Sequence, residues 1–215
     1  MVSPEPPRTI DIGEFRRKGP PLRVIGIGLL ILLGLFIVTS MIFTIEPEEV
    51  GVVVRFGKYT RTSGPGLNFK MPAPLEQVYK VPIQRQLKAE FGFRTTRVGV
   101  RTEYSQQTFD NEASMLTGDL NVAVVEWITQ YRVSDPYKFL FRVRNVVETF
   151  RDMNEAVMRA VIGDRSVNEV LTIGRQEIAT EVERRLQEMC DQYETGIRVE
   201  QIVLQDVNPP DKVKP

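Results

Sequence analysis

The stretch LNVAVVEWITQYRVSDPYKFLFRVRNVVETFRDMNEAVMRAVIG, residues 120–163, changes its hydrophobic period halfway along, and that change decides the fold class. Residues 120–133 are rich in Val, Ile, Trp and Tyr, the composition of a long strand. Val122 and Val124 stand on one parity, and Val125, Trp127, Tyr131 and Val133 on the other. A bulge residue near Val124 is therefore expected, with burial of both faces as the alternative. Past Asp135 and Pro136 the period becomes 3.6: Val146, Val147, Phe150, Met153, Val157, Ala160 and Val161 mark one face of a helix. A long strand running into amphipathic helices is an α+β pattern.

Toward the C-terminus, Ser166 and Glu169 have capping-box spacing ahead of a short helix through Leu171. A further helix over 173–193 aligns Ile178, Val182, Leu186, Met189 and Tyr193, with Glu181 and Arg185 as an i,i+4 pair on its other side. Gly196 stops it. The chain returns as the strand IRVEQIVLQDV, and Asn208, Pro209 and Pro210 end the regular structure.

Toward the N-terminus, Val50, Val52, Val53, Val54 and Phe56 form a β-branched strand that enters a turn at Gly57 and Lys58. Strands are also expected over 77–82 and 85–91, and an irregular polar excursion over 92–111. Before all of these lies VIGIGLLILLGLFIVTSMIFTI, residues 24–45, which is free of charge. As a helix it would extend about 33 Å against a hydrocarbon core of about 30 Å, so it reads as a transmembrane anchor. The flank MIFTIEPEEV has no small-residue cleavage site, which argues against a removable signal peptide. Arg16, Arg17, Lys18 and Arg23 crowd its N-terminal side and set the expected topology, with residues 1–23 as a disordered cytoplasmic tail and the body on the far side of the membrane. In a two-membrane bacterium the body is then periplasmic. The first strand would carry the chain roughly 25 Å from the bilayer and a hairpin would return it. Leu67, Phe69 and Met71 would then lie near the lipid surface, or else form the inner face of a buried strand.

The composition removes several functions. Twenty-eight Lys and Arg balance twenty-eight Asp and Glu, so the field that nucleic-acid binding requires is missing. Histidine is absent, which takes away the commonest general base and the commonest zinc ligand. Cys190 is the only cysteine, so no intramolecular disulfide can form, and it reads as a small buried hydrophobe. No G-x-S-x-G, H-E-x-x-H, C-x-x-C or phosphate-loop motif occurs. Glu46, Glu48 and Glu49 read as a solvated strand entrance more simply than as a cation site. No catalytic, cofactor-binding or metal-binding residue is nominated.

Three segments in order, IEPEEVGVVVRFGKYTRTSGPGLNFKMPAPLEQVYKVPI behind the anchor, then MLTGDLNVAVVEWITQYRVSDPYKFLF, then IRVEQIVLQDVNPP, resemble the band-7 or SPFH family (stomatin, prohibitin, flotillin, HflK/HflC), and within it the bacterial HflK branch. The resemblance covers about residues 44–213. It implies an SPFH domain divided into a β-rich part over 46–133 and an α/β part over 134–213. It implies a non-catalytic membrane scaffold of the bacterial inner membrane, hetero-oligomeric with an HflC-like homologue, that associates with an FtsH-type AAA protease and modulates it. A stomatin- or flotillin-like organiser of lipid microdomains is the alternative, and a membrane-anchored hydrolase a remote one. Members of the family continue into a coiled coil past the position of Pro215, so the chain looks shortened relative to them.

Overall fold

A computed structural model describes residues 22–97, 103–104, 109–171 and 174–208. Arg16, Arg17 and Lys18, with the tail expected over 1–23 except for its last two residues, lie outside them. The chain opens with helix α1 (Leu22–Ser40), whose described apolar side chains are exposed on every side. The apolar helix expected through Ile45 stops five residues early. Thr39 turns its hydroxyl back onto the carbonyls of Leu35 and Phe36, and the Met41 N–H closes a tight turn on Val38. The residues IFTI then form strand β1 (Ile42–Ile45). An apolar, β-branched run satisfies helix and strand equally by hydropathy, which is why the boundary is not legible in the sequence. Among the described residues no helix is by itself long and apolar enough to cross a membrane.

After β1 come β2 (Glu49–Arg55), β3 (Lys58–Ser63), β4 (Gly66–Phe69) and β5 (Glu76–Pro82). β3, β2 and β5 make an antiparallel sheet in that order, while β4 leaves it to pair with β1, setting Ile42 against Phe69 and Ile45 against Gly66. The second sheet contains β6 (Leu87–Phe91), and the excursion that follows carries a small ribbon, β7 (Thr95–Arg97) with β8 (Glu103–Tyr104), and the short helix α2 (Asp110–Ala113). Then come β9 (Ser114–Leu116) and the long β10 (Val122–Val133), which pairs with β6 and β9. Helices α3 (Pro136–Phe141), α4 (Val146–Gly163), α5 (Val167–Leu171) and α6 (Arg175–Gln192) precede β11 (Ile197–Asn208), which is antiparallel to β10.

β10 alternates without a break: Ala123, Val125, Trp127, Thr129, Tyr131 and Val133 are all buried. The bulge expected near Val124 is therefore not in this strand. Two extra residues lie in its partner, opposite Val125–Trp127 and Gln130–Tyr131, where β11 advances one residue more than β10. Val122 and Val124 lie on the opposite face, and Val122 pairs with Leu116 at the exposed start of the strand. α4 and α6 cover the buried face. Trp127 stacks on Phe91 with ring centroids 4.5 Å apart and donates Nε1–H to Asn154 Oδ1 at 3.0 Å, while Asn154 donates to Thr129 Oγ1 at 2.7 Å. All three polar groups are fully buried and paired, as a core of this density requires. The α4 stripe includes Asn154, Met158 and Ile162 in place of Val147 and Ala160, which are exposed because they fall outside the helical arc facing the sheet. In α6, Tyr193 stands past the last turn and is exposed.

α3 is absent from the period-based reading, being too short for one. Asp135 caps it by accepting the N–H groups of Tyr137 and Lys138 at 2.9 and 3.1 Å, and Pro136 starts it. It lies on the first sheet, where Tyr137 meets Tyr59 and Phe141 meets Tyr79. Gly196 ends the α6 connection with φ +71, and a Cβ there would stand 2.4 Å from the Asp135 carbonyl oxygen. The Ser166–Glu169 box is formed as expected, with the Ser166 N–H on Glu169 Oε2 at 2.8 Å.

Candidate functional site

The surface with the least internal explanation is at the foot of α1. One residue, Met41, separates α1 from β1, and its carbonyl accepts the Lys70 N–H at 2.8 Å. Residues directly opposite in an antiparallel ladder share a face. Ile42 and Phe69 therefore stand on one face, with Leu67 on the same strand parity, and all three are exposed. Leu67 and Phe69 are 64% and 63% exposed and Met71 41%, so these residues form no inner face of a buried strand.

What holds this segment is a carboxylate the sequence does not advertise. Glu76 is 1% exposed, at the start of β5, and its Oε1 accepts Arg55 Nη2 at 2.7 Å and Arg61 Nη1 at 3.4 Å. Its Oε2 accepts the Met71 N–H at 2.9 Å, and Arg61 reaches onward to the Phe69 carbonyl at 2.7 Å. Glu76 thus joins β2, β3 and the end of β4. The Met71 N–H, then the Arg55 hydrogen bond and the charges of Arg61 and Arg55, hold its carboxyl below the ordinary range despite burial. Only a strand register could have disclosed it, since twenty-one residues separate Arg55 from Glu76.

The direction of β2 corrects the expected path. Ile45, 1% exposed, packs over Gly51, where a Cβ would stand 2.6 Å from Ile45 Cδ1. Arg55 lies in register with Glu76, at the level of Met71 and so of Met41. It is β1 that leaves α1 and β2 that comes back to it. The Phe56–Gly57 turn therefore lies at the α1 end, where the Phe56 N–H bonds the Leu75 carbonyl at 3.2 Å. Phe56 is 77% exposed and holds φ +48, a conformation rare for an aromatic residue.

A second clamp holds the residues between β6 and β7. Glu112 accepts Arg94 Nη2 at 2.7 Å and Arg151 at 3.3 Å, and Arg151 also lies over the Phe91 ring, 4.4 Å from its centre. Burial raises the Glu112 carboxyl, and Arg94 and Arg151 more than offset this to leave it lowered. Glu90 receives the Thr95 N–H at 2.8 Å and Lys88 at 2.6 Å. Cys190 is 1% exposed, and burial pushes its thiol up to about 11. Of Glu46, Glu48 and Glu49, Glu48 pairs with Arg85 at 3.2 Å. No group of three or more acidic or cysteine side chains is placed to hold a metal ion among the described residues. Arg23 is exposed on the first turns of α1.

Comparison with known proteins covers the whole of the body. The family described as "SPFH domain / Band 7 family" matches residues 43–215. Protein HflK of Treponema pallidum is 39% identical over 186 residues, covering 85% of this chain and 56% of that protein. Protein HflK of Borreliella burgdorferi is 32% identical over 181 residues, 84% of this chain and 57% of that protein. The "Modulator of FtsH protease HflK" of Escherichia coli K12 is 34% identical over 177 residues, 81% of this chain and 37% of that protein. The chain spans between about a third and just over half of the length of these relatives. With the family matched over four-fifths of its residues, the chain belongs to the SPFH domain / Band 7 family.

Proposed function

We propose that this protein is an HflK-like, non-catalytic membrane scaffold that modulates an FtsH-type AAA protease. The observation that carries the reading is the similarity along most of the chain to a protein named for modulating FtsH. In this reading α1 with the residues around it is a single-pass anchor of the bacterial inner membrane. Its 19 residues rise about 28 Å, close to the hydrocarbon thickness of about 30 Å, and its described apolar side chains are exposed. A helix apolar all round is one that needs an apolar surrounding. Arg16, Arg17, Lys18 and Arg23 keep the N-terminus cytoplasmic and send the body to the periplasm. Leu67, Phe69 and Met71, exposed beside the end of α1, touch the lipid surface. An HflC-like homologue completes a hetero-oligomer.

Co-purification in mild detergent from the native source, read by mass spectrometry, tests the assignment. The expected result is an HflC-like protein and a membrane AAA protease in the eluate. Recovery of the chain alone after crosslinking would overturn it. Protease added to intact spheroplasts is expected to degrade the body, and protection of the body would reverse the topology.

A further inference from the structure

The first sheet is polarised in charge along its strands. At one end stand Glu46, Glu48 and Glu49, before β2 and at its start, with Arg85 paired to Glu48; at the other, beside α1, stand Arg55, Lys58 and Arg61, with Lys70 just past β4. About 20 Å of strand separates the two ends. Glu76 is shared between Arg55 and Arg61, so it neutralises one of two cations. Among the described residues neither Lys58 nor Lys70 forms an ion pair. Lys58 is set opposite Arg55 in the ladder, and Lys70 precedes the Met71 N–H that Glu76 binds, so both lysines belong to the Glu76 end. In the turn between Arg55 and Lys58 stands Phe56, in an unfavourable backbone conformation and exposed to water, two costs that water does not return. Cations flanking apolar tips at the exit of an apolar helix match the chemistry of a phospholipid: phosphate outside, acyl chain inside.

We propose that the α1 end of the first sheet binds anionic phospholipid, with Lys58 and Lys70 on the headgroup phosphates and Phe56 inserted at the level of the upper acyl chains. Phe56 becomes a lipid contact separate from the 67–71 segment, and the surface selects lipids by charge instead of merely resting on them. The inference depends on the anchored reading above. It does not depend on the protease.

The test uses the full chain, carrying Phe56→Trp, reconstituted through α1 into vesicles of equimolar phosphatidylcholine and phosphatidylglycerol. Bromine is placed on the acyl chains of one lipid or of the other. Trp127 is fully buried in the core and serves as the unquenched internal reference. Quenching of the residue-56 indole is expected to be stronger when the anionic lipid carries the bromine. Lys58→Gln with Lys70→Gln should bring the two lipids toward equality, by roughly five-fold in selectivity for each lysine, and the corresponding arginine variants should retain the preference. Among the described residues neither lysine side chain bonds or ion-pairs with Glu76, so the variants are expected to keep the fold. Equal quenching by both lipids in the lysine-containing chain would overturn the charge selection while leaving membrane contact standing. Absence of quenching by either lipid would overturn the anchored placement itself. Loss of a co-purifying acidic protein in the glutamine variants, with lipid selectivity unchanged, would assign the lysines to that protein instead.

Discussion

Glu76 concentrates the consequences of the fold in one side chain. Its folded-state carboxyl is more acidic than the ordinary value of 4.5, so ionisation favours the folded state. That contribution is complete above about pH 4.5 and is lost as pH falls through the lowered folded value. Glu76→Gln is expected to cost about 2 kcal/mol at neutral pH, Arg55 and Arg61 being partly solvated, and to flatten the acid limb of the stability curve. Chemical denaturation at a series of pH values reads both, and hydrogen exchange should speed up at residues 69–71 first. Cys190 makes the opposite case, a group silenced by its surroundings. With its thiol pushed to about 11 and buried, alkylation at neutral pH should follow global unfolding only, giving modification in denaturant and none in the native protein. The sequence predicts Cys190's burial because helical spacing places it with Leu186. It conceals Glu76 because no local pattern marks a carboxylate whose partners come from two other strands.

At the scale of elements, Gly51 decides how β1 is seated. Glycine leaves the space that Ile45 fills, and Gly51→Val would drive Ile45 off the sheet. We expect about 2 kcal/mol of destabilisation, with faster hydrogen exchange in β1 and β4 and little change in β10 and β11. Uniform protection across both sheets would contradict it. Long periodic elements are legible from sequence: β10, α4, α6 and β11 all lie where their periods put them. Short ones without a local signature such as the Ser166–Glu169 box are not. α3 is six residues, β1 and β4 four each, and their existence depends on tertiary partners that propensity does not see. The same blindness reversed β2, since a strand's direction is set by what it packs against and Ile45 over Gly51 is a contact, not a composition. The foot of α1 was partly legible, because Leu67, Phe69 and Met71 stand out as an apolar trio, whereas Phe56 was absorbed into a strand.

Over the whole molecule, the two sheets meet at Leu87 and Phe139, which pack against both hydrophobic cores. Val133, the last residue of β10, joins the smaller core with Val52, Val54 and Val81. Phe139→Ala is expected to cost about 3 kcal/mol and to separate the unfolding of the first sheet from that of the second, seen as two calorimetric transitions in place of one. A single, merely shifted transition would show that the sheets remain coupled without it. The family is written along this chain and the proposed assembly is not, because any surface used for lateral contacts would carry charges that serve solvent equally well. The seam at Met41 has a mechanical consequence. A single residue joins α1 to β1, its carbonyl is tied to Lys70, and the next four residues are laced to β4, so no loop separates helix from body. Tilting α1 must lean the whole body with it as a rigid lever. In the anchored reading, local bilayer thickness, by setting that tilt, would set the angle at which one body meets the next.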